Sequence, residues 1–122
     1  MARVVCDTSF LIHLATRRIH NIDSLEAEVG QVRFAVPLQV VSELRGLRRD
    51  PARSAGAGAA LERAAPMERI KIPGDTADGA LAAHAGSGVI IATMDRGLKR
   101  RVREAGGSVM SFHGDRIVLE TH

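Results

Sequence analysis

Four carboxylates occupy one kind of setting along this sequence of 122 residues: an apolar, largely β-branched run ends, and the acid stands at or just inside the helical pattern that follows. The settings are Val4-Val5-Cys6-Asp7, Val36-Pro37 leading to Val40-Val41-Ser42-Glu43, Ile70-Lys71-Ile72 leading to Asp75-Thr76-Ala77-Asp78, and Val89-Ile90-Ile91-Ala92-Thr93-Met94-Asp95. Strand exits in an open α/β sheet gather at one edge, so Asp7, Glu43, Asp78 and Asp95 are expected to meet in one crevice. Carboxylates packed together repel and raise one another's pKa unless a cation sits among them. An all-oxygen donor set suits a hard divalent cation, Mg²⁺ or Mn²⁺. Two such ions about 3.5–4 Å apart activate a water for in-line attack on phosphorus and stabilise the leaving oxygen. Asp7, Asp78 and Asp95 are the expected metal ligands, with Glu43 completing the set and positioning a metal-bound water. No histidine base is needed, and His13, His20, His84, His113 and His122 show no ligand spacing.

The elements that must deliver these acids alternate between strand and helix. A strand over residues 3–6 precedes a short helix through Phe10, Leu11, Ile12 and Leu14 that stops before Arg17-Arg18. A second short helix is expected from residues 21–23, with Asp23 or Ser24 as its cap, Leu25 and Val29 on one face and Gly30 at its end. A strand over 32–36 runs into a helix begun by Pro37, where Leu38, Val41, Leu44 and Leu47 fall at helical spacing. After Asp50-Pro51, the Ala/Gly-rich residues 52–60 read as the least ordered stretch, because glycine weakens a helix by about 1 kcal/mol relative to alanine. A helix is expected to resume by Gly58 and run to Ala65. Strands at 69–72, 89–93 and 108–112 then alternate with helices at 75–85 and 95–105, and a short edge strand at 117–119 follows a Gly114-Asp115 turn. Such alternation implies parallel pairing with right-handed crossovers.

Each acid also has an ordinary explanation. Asp7 and Asp95 suit helix caps, Asp75 with Asp78 looks like a capping pair, and Glu43 suits a solvated helix face. Convergence on one edge of the sheet is what favours the metal site over four separate caps. Thr8, Ser9 and Thr93 flank the acids and suit hydrogen bonds to a carboxylate or a metal-bound water, or simple turn bonding. On the last helix Leu98, Val102 and Ala105 form a core stripe, while Arg96, Lys99, Arg100 and Arg103 form a basic one that would suit a phosphate backbone.

Composition narrows the alternatives. No Trp, no Tyr and only three Phe leave almost no rings on which to stack bases, which argues against RRM-type and OB-type readers of single strands. Lys plus Arg outnumber Asp plus Glu by 17 to 14. With several acids gathered in one pocket, the remaining surface is more basic than that excess suggests, which suits a polyanionic partner carrying phosphates, with plain solubility as the alternative. Cys6 is the sole cysteine and no Cys/His set has zinc spacing, so a reducing, cytoplasmic setting is expected, with no membrane segment and no leader. The length suits one domain over residues 1–122. There is no phosphate loop, no dinucleotide fingerprint and no serine elbow.

The order Val4-Val5-Cys6-Asp7-Thr8-Ser9-Phe10-Leu11, Val36-Pro37 with Val40-Val41-Ser42-Glu43-Leu44, Ala77-Asp78-Gly79-Ala80-Leu81-Ala82 and Ile91-Ala92-Thr93-Met94-Asp95-Arg96-Gly97-Leu98 resembles a PIN-domain nuclease along essentially the whole chain. That resemblance implies a three-layer α/β/α sandwich with a central parallel sheet, Mg²⁺- or Mn²⁺-dependent endoribonuclease activity, and frequent homodimers. It carries the family's acids onto Asp7, Glu43, Asp78 and Asp95, and its hydroxyl onto Thr8 or Ser9. The closing stretch from Leu98 through Gly106-Gly107-Ser108-Val109 to Ile117-Val118-Leu119 is similar to a short archaeal branch related to PIN nucleases of ribosomal RNA processing. Two departures stand out: Met94 where many relatives carry Asn, and Gly97 where many carry a further acid. They imply a weakly held second metal, and leave open a catalytically weak RNA-binding or ribosome-assembly module; a separate reading, with the same site intact, is a toxin restrained by an antitoxin.

Overall fold

The structure, a computed structural model, describes residues 2–20 and 30–120. The short helix expected over residues 21–29 lies outside the described residues, as does His122. The sheet has six strands in the order β3-β2-β1-β4-β5-β6, formed by Ala2–Cys6 (β1), Val32–Pro37 (β2), Glu68–Ile70 (β3), Ile90–Ala92 (β4), Ser108–His113 (β5) and Arg116–Glu120 (β6). Val4, Val5 and Cys6 in the middle of the sheet are buried on both faces, the pattern of a central parallel strand covered on each side.

Chain order and strand order together fix the layers. The chain moves outward from β1 to β2 and β3, then crosses back to β4 and continues outward the other way to β5. With right-handed crossovers, helices joining strands in opposite directions fall on opposite faces. Accordingly Thr8–Thr16 (α1), Leu38–Leu47 (α2) and Ser54–Ala64 (α3) pack together, and Ala77–His84 (α4) packs with Arg96–Glu104 (α5). The result is the expected α/β/α sandwich. The order reverses between β1 and β4, and a crevice opens beyond the carboxyl ends of strands at such a switch point. Cys6 pairs with Ala92 at that edge, so the next residues on each strand, Asp7 and Thr93, arrive side by side.

The structure departs from the sequence reading in several places. β3 ends at Ile70 instead of running to 72, and the next helix starts at Ala77 instead of 75. Two further differences have a clear physical reason. The β5–β6 pair is antiparallel, so the sheet is not wholly parallel. Only Gly114 and Asp115 join the paired residues His113 and Arg116, too short a link for the crossover that parallel pairing needs. Gly114, at φ +64°, supplies the positive angle of a tight hairpin turn. Helix α3 begins at Ser54, four residues before Gly58. Its buried small residues are the reason: Ala57, Ala60 and Ala64 pack into the core where α3 meets α1, and a Cβ on Gly56 would make only ordinary contact with Ile12. Close helix packing thus outweighs the propensity cost of glycine, since helical stability in proteins comes mostly from tertiary contact. Among the described residues no helix is long and apolar enough to cross a membrane.

Candidate active site

Asp7 is the residue at which β1 gives way to α1, and it is buried, at 8% exposure. Its backbone occupies the cap position, but its side chain makes no capping bond. Instead Oδ2 accepts from the Thr93 hydroxyl at 2.8 Å and from the Ser9 hydroxyl at 3.3 Å. Those hydroxyls in turn accept from backbone amides, Asp95 N–H to Thr93 at 3.1 Å and Met94 N–H to Ser9 at 3.0 Å. The loop leaving β4 is therefore stitched to the end of β1 through Asp7. Burial pushes the Asp7 carboxyl above its ordinary pKa, opposed by Thr93, the Thr8 backbone and Ser9, and reinforced by the charge of Asp78.

Glu43 lies midway along α2. The residue as a whole is exposed, but its carboxyl stands against the cleft wall, and lost hydration raises its pKa first, followed by the charges of Asp7 and Asp78. The buried Thr8 hydroxyl opposes that rise, close enough to act on Glu43 electrostatically without closing a hydrogen bond of ordinary geometry. Asp78, in the first turn of α4, is turned toward Arg101, whose Nη1 donates to Oδ2 at 2.8 Å. Asp95 caps α5, its Oδ1 accepting from Gly97 N–H at 2.7 Å and Leu98 N–H at 3.2 Å. The cap of α4 is Thr76, which accepts from Gly79 N–H at 3.1 Å, so Asp75 is not half of a capping pair.

All four acids line one cleft of about 300 Å³, together with Thr8, Ser9 and Arg53. Glu43 also borders a neighbouring cleft of about 540 Å³ formed with Leu38, Gln39, Ser42 and Asp75. Among the described residues no three acid, imidazole or thiol groups already close on one point as a ligand cage. Asp78 and Asp95 are engaged elsewhere, by Arg101 and by helix amides respectively. The donor chemistry nevertheless suits a hard cation: oxygen atoms only, mutually repelling, with a buried Thr8 hydroxyl lacking a partner.

The sequence model of the PIN-like domain family matches residues 4–115. The chain belongs to this family. Among solved structures it is similar to that of the PIN domain endonuclease Utp24, at 24% identity and a TM-score of 0.78, covering 97% of this chain and 90% of that one. At that identity the likeness is one of fold. A search of the curated proteins finds no match.

The basic side chains of this PIN-like domain are distributed differently from the stripe read off α5. Arg96 and Arg100 are exposed. Lys99 instead donates to Glu120 Oε2 at 2.9 Å, and Arg103 binds Glu120 Oε1. Helical spacing places these two on one face but does not reveal that β6 folds back to meet it. Arg53, which does reach the acidic cleft, follows Asp50-Pro51 in a stretch without periodic signal, and only the early start of α3 against α1 brings it there. Gln39 also went unread: its Nε2 donates to Ile72 C=O at 2.6 Å and Gly74 C=O at 2.8 Å, tying the segment before α4 to α2.

Proposed function

We propose that this chain is a divalent-metal-dependent endoribonuclease that hydrolyses RNA phosphodiesters. The observation that carries the reading is the meeting of Asp7, Glu43, Asp78 and Asp95, from four separate elements, in one cleft at the sheet's switch point. Membership of the PIN-like family and the fold shared with a PIN domain endonuclease support it. Asp7, Asp78 and Asp95 would hold Mg²⁺ or Mn²⁺, with Glu43 completing the set. Such an ion supplies Lewis acidity toward the phosphate and a water deprotonated near neutral pH.

The chain's own residues have definable tasks. Thr93 and Ser9 hold the Asp7 carboxylate in one orientation by donating to Oδ2, which leaves them unable to rotate freely. Glu43, whose carboxyl faces the same cleft as Asp7 and Asp78, is placed to position the attacking water beside the ion. Asp78 must leave Arg101 to join a shared ion, and Arg101 is exposed enough to let it go, because exposed ion pairs contribute only about 0–1 kcal/mol.

Cleavage of a single-stranded RNA oligonucleotide with Mn²⁺, by wild type and by Asp7→Asn, tests the proposal. Wild type should cut internally, and the variant should be inactive while keeping its fold by circular dichroism. Equal rates for the two proteins would overturn the assignment. A second reading, an RNA-binding module with weak chemistry, is favoured by the use of Asp95 as a helix cap and by Gly97, which offers no further acid. Calorimetric titration separates the two, since a scaffold should take up no Mn²⁺ at millimolar concentration. Ribosomal RNA is the proposed substrate setting because the closing stretch resembles that branch, and cleavage mapping on ribosomal precursors tests it.

A further inference from the structure

The acids do not account for everything that lines the cleft. Arg53 is the one basic side chain on its wall among the described residues, beside four carboxylates. We propose that Arg53 is the phosphate-binding residue of this site, its guanidinium receiving non-bridging oxygens of the RNA phosphodiester at the cleft. This rests on the nuclease reading above and adds the residue that lets a polyanion enter an acidic cleft.

Local preference gives no reason for an arginine here. Arg53 occupies the N-cap position of α3, where Ser, Thr, Asp and Asn are favoured, and its side chain makes no capping bond. A cation at a helix N-terminus also faces the positive end of the macrodipole. A residue that breaks both rules, offset locally only by a loose pair with Asp50, is the pattern expected where function overrides stability.

Arg53 is also available. Its side chain is 66% exposed, and its described partner is Asp50, whose Oδ2 lies 3.7 Å from Nε, a loose surface pair that a phosphate can displace. Of the other cations, Arg101 is committed to Asp78, and Lys99 and Arg103 to Glu120, while Arg96 and Arg100 are exposed on α5 and do not line the cleft. The planar fork of a guanidinium matches two phosphate oxygens at once, which an ammonium does not. A phosphodiester seated on Arg53 would face Asp7 and Glu43 across the same cleft.

The test compares wild type, Arg53→Lys and Arg53→Gln in two assays. The first is Mn²⁺-dependent cleavage of a single-stranded RNA oligonucleotide. The second is anisotropy binding of the same oligonucleotide across a salt series, with Ca²⁺ in place of Mn²⁺ and the strand verified intact by gel. Arg53→Gln should lower kcat/KM by about 10²-fold, the scale for losing one donor to a reacting oxyanion. It should also reduce the salt slope of binding by about one contact. Arg53→Lys should recover part of the loss, since charge returns without the fork, and thermal midpoints should match wild type. Cleavage by Arg53→Gln at the wild-type rate overturns the proposal while leaving the nuclease reading intact. If wild type itself does not cut, that reading fails instead, and binding decides: unchanged affinity and slope in Arg53→Gln overturn the phosphate role, and a weaker, shallower response upholds it.

Discussion

Two acidic sites in this molecule, the single carboxylate of Glu120 with its ring of basic partners and the cluster of acids in the cleft, are treated in opposite ways. Glu120, at the end of β6, has a side chain only 9% exposed, yet it receives Lys99 at 2.9 Å, His113 Nε2 at 2.9 Å and Arg103. Burial pushes its pKa up, but the Lys99 and His113 hydrogen bonds and the charges of Lys99 and Arg103 outweigh it and hold the carboxyl below its ordinary range. In the cleft, Asp7 and Glu43 are pushed the other way, and Asp7 is given hydroxyls where Glu120 is given cations. A carboxylate that serves the fold has found its cations within the chain. In the cleft only Asp78 has a cation, Arg101, whereas Asp7 and Glu43 are given none among the described residues, and that shortage is what a divalent ion would relieve.

The comparison is tested most severely by activity. Asp7→Asn should lose Mn²⁺-dependent cleavage by about 10³-fold or more, as single catalytic residues do. Glu120→Gln should keep its rate per folded molecule, because no cleft residue touches Glu120. A Glu120→Gln protein as inactive as Asp7→Asn would show that the two sites are one functional unit.

Stability should separate them by sign. Glu120→Gln removes a charge that three partners share and should cost about 1.5–3 kcal/mol at neutral pH, the scale for hydrogen bonds to charged groups. Asp7→Asn in metal-free protein removes an ionised group from a site that disfavours it, and should raise the thermal midpoint by about 2–4 °C. Mn²⁺ should raise the midpoint of wild type but not of Asp7→Asn. Thermal denaturation of the three proteins, with and without metal, reads both effects.

The pH dependence carries the same opposition. Because Asp7 and Glu43 are raised in the folded state, their contribution is fully present below their unfolded values, near about pH 4, and is lost as pH rises through the folded ones. Glu120 is lowered, so its contribution is present above about pH 4 and is lost as pH falls through its folded value. Metal-free wild type should therefore gain stability from the cleft as pH drops from neutral toward 4, and lose stability at Glu120 below that. Asp7→Asn should flatten the first change and Glu120→Gln the second, in urea unfolding across the pH series. Metal binding should reverse the first slope, since ligation requires deprotonated carboxylates.

What the sequence made legible follows from the reach of each signal. Strand ends were readable because apolar runs stop at them, and register then carried Asp7 beside Thr93. The same signals could not tell that Asp78 would turn to Arg101 or that Thr76 rather than Asp75 would cap α4, because a cap is decided by backbone geometry within one turn. They understated α3, whose glycines look like breakers until the buried Ala57, Ala60 and Ala64 are packed where α3 meets α1. They missed Arg53 for the same reason: its place on the cleft wall exists only once those two helices meet.

The smallest expected effects concern the basic face of α5, where the sequence placed four RNA contacts and the structure divides them into pairs. Arg96 and Arg100 are exposed, whereas Lys99 and Arg103 are held by Glu120. If that division governs binding, Arg96→Ala and Arg100→Ala should each lower the salt slope of RNA binding by about one contact. Being exposed, they should change stability by no more than about 0.5 kcal/mol. Lys99→Ala and Arg103→Ala should do the reverse, lowering the thermal midpoint while leaving the slope nearly intact. A Lys99→Ala slope as shallow as that of Arg100→Ala would mean that RNA takes these cations from Glu120. In that case the β6 carboxylate would be a stand-in for phosphate rather than a structural anchor, and the contrast between the two sites would hold only for the RNA-free protein.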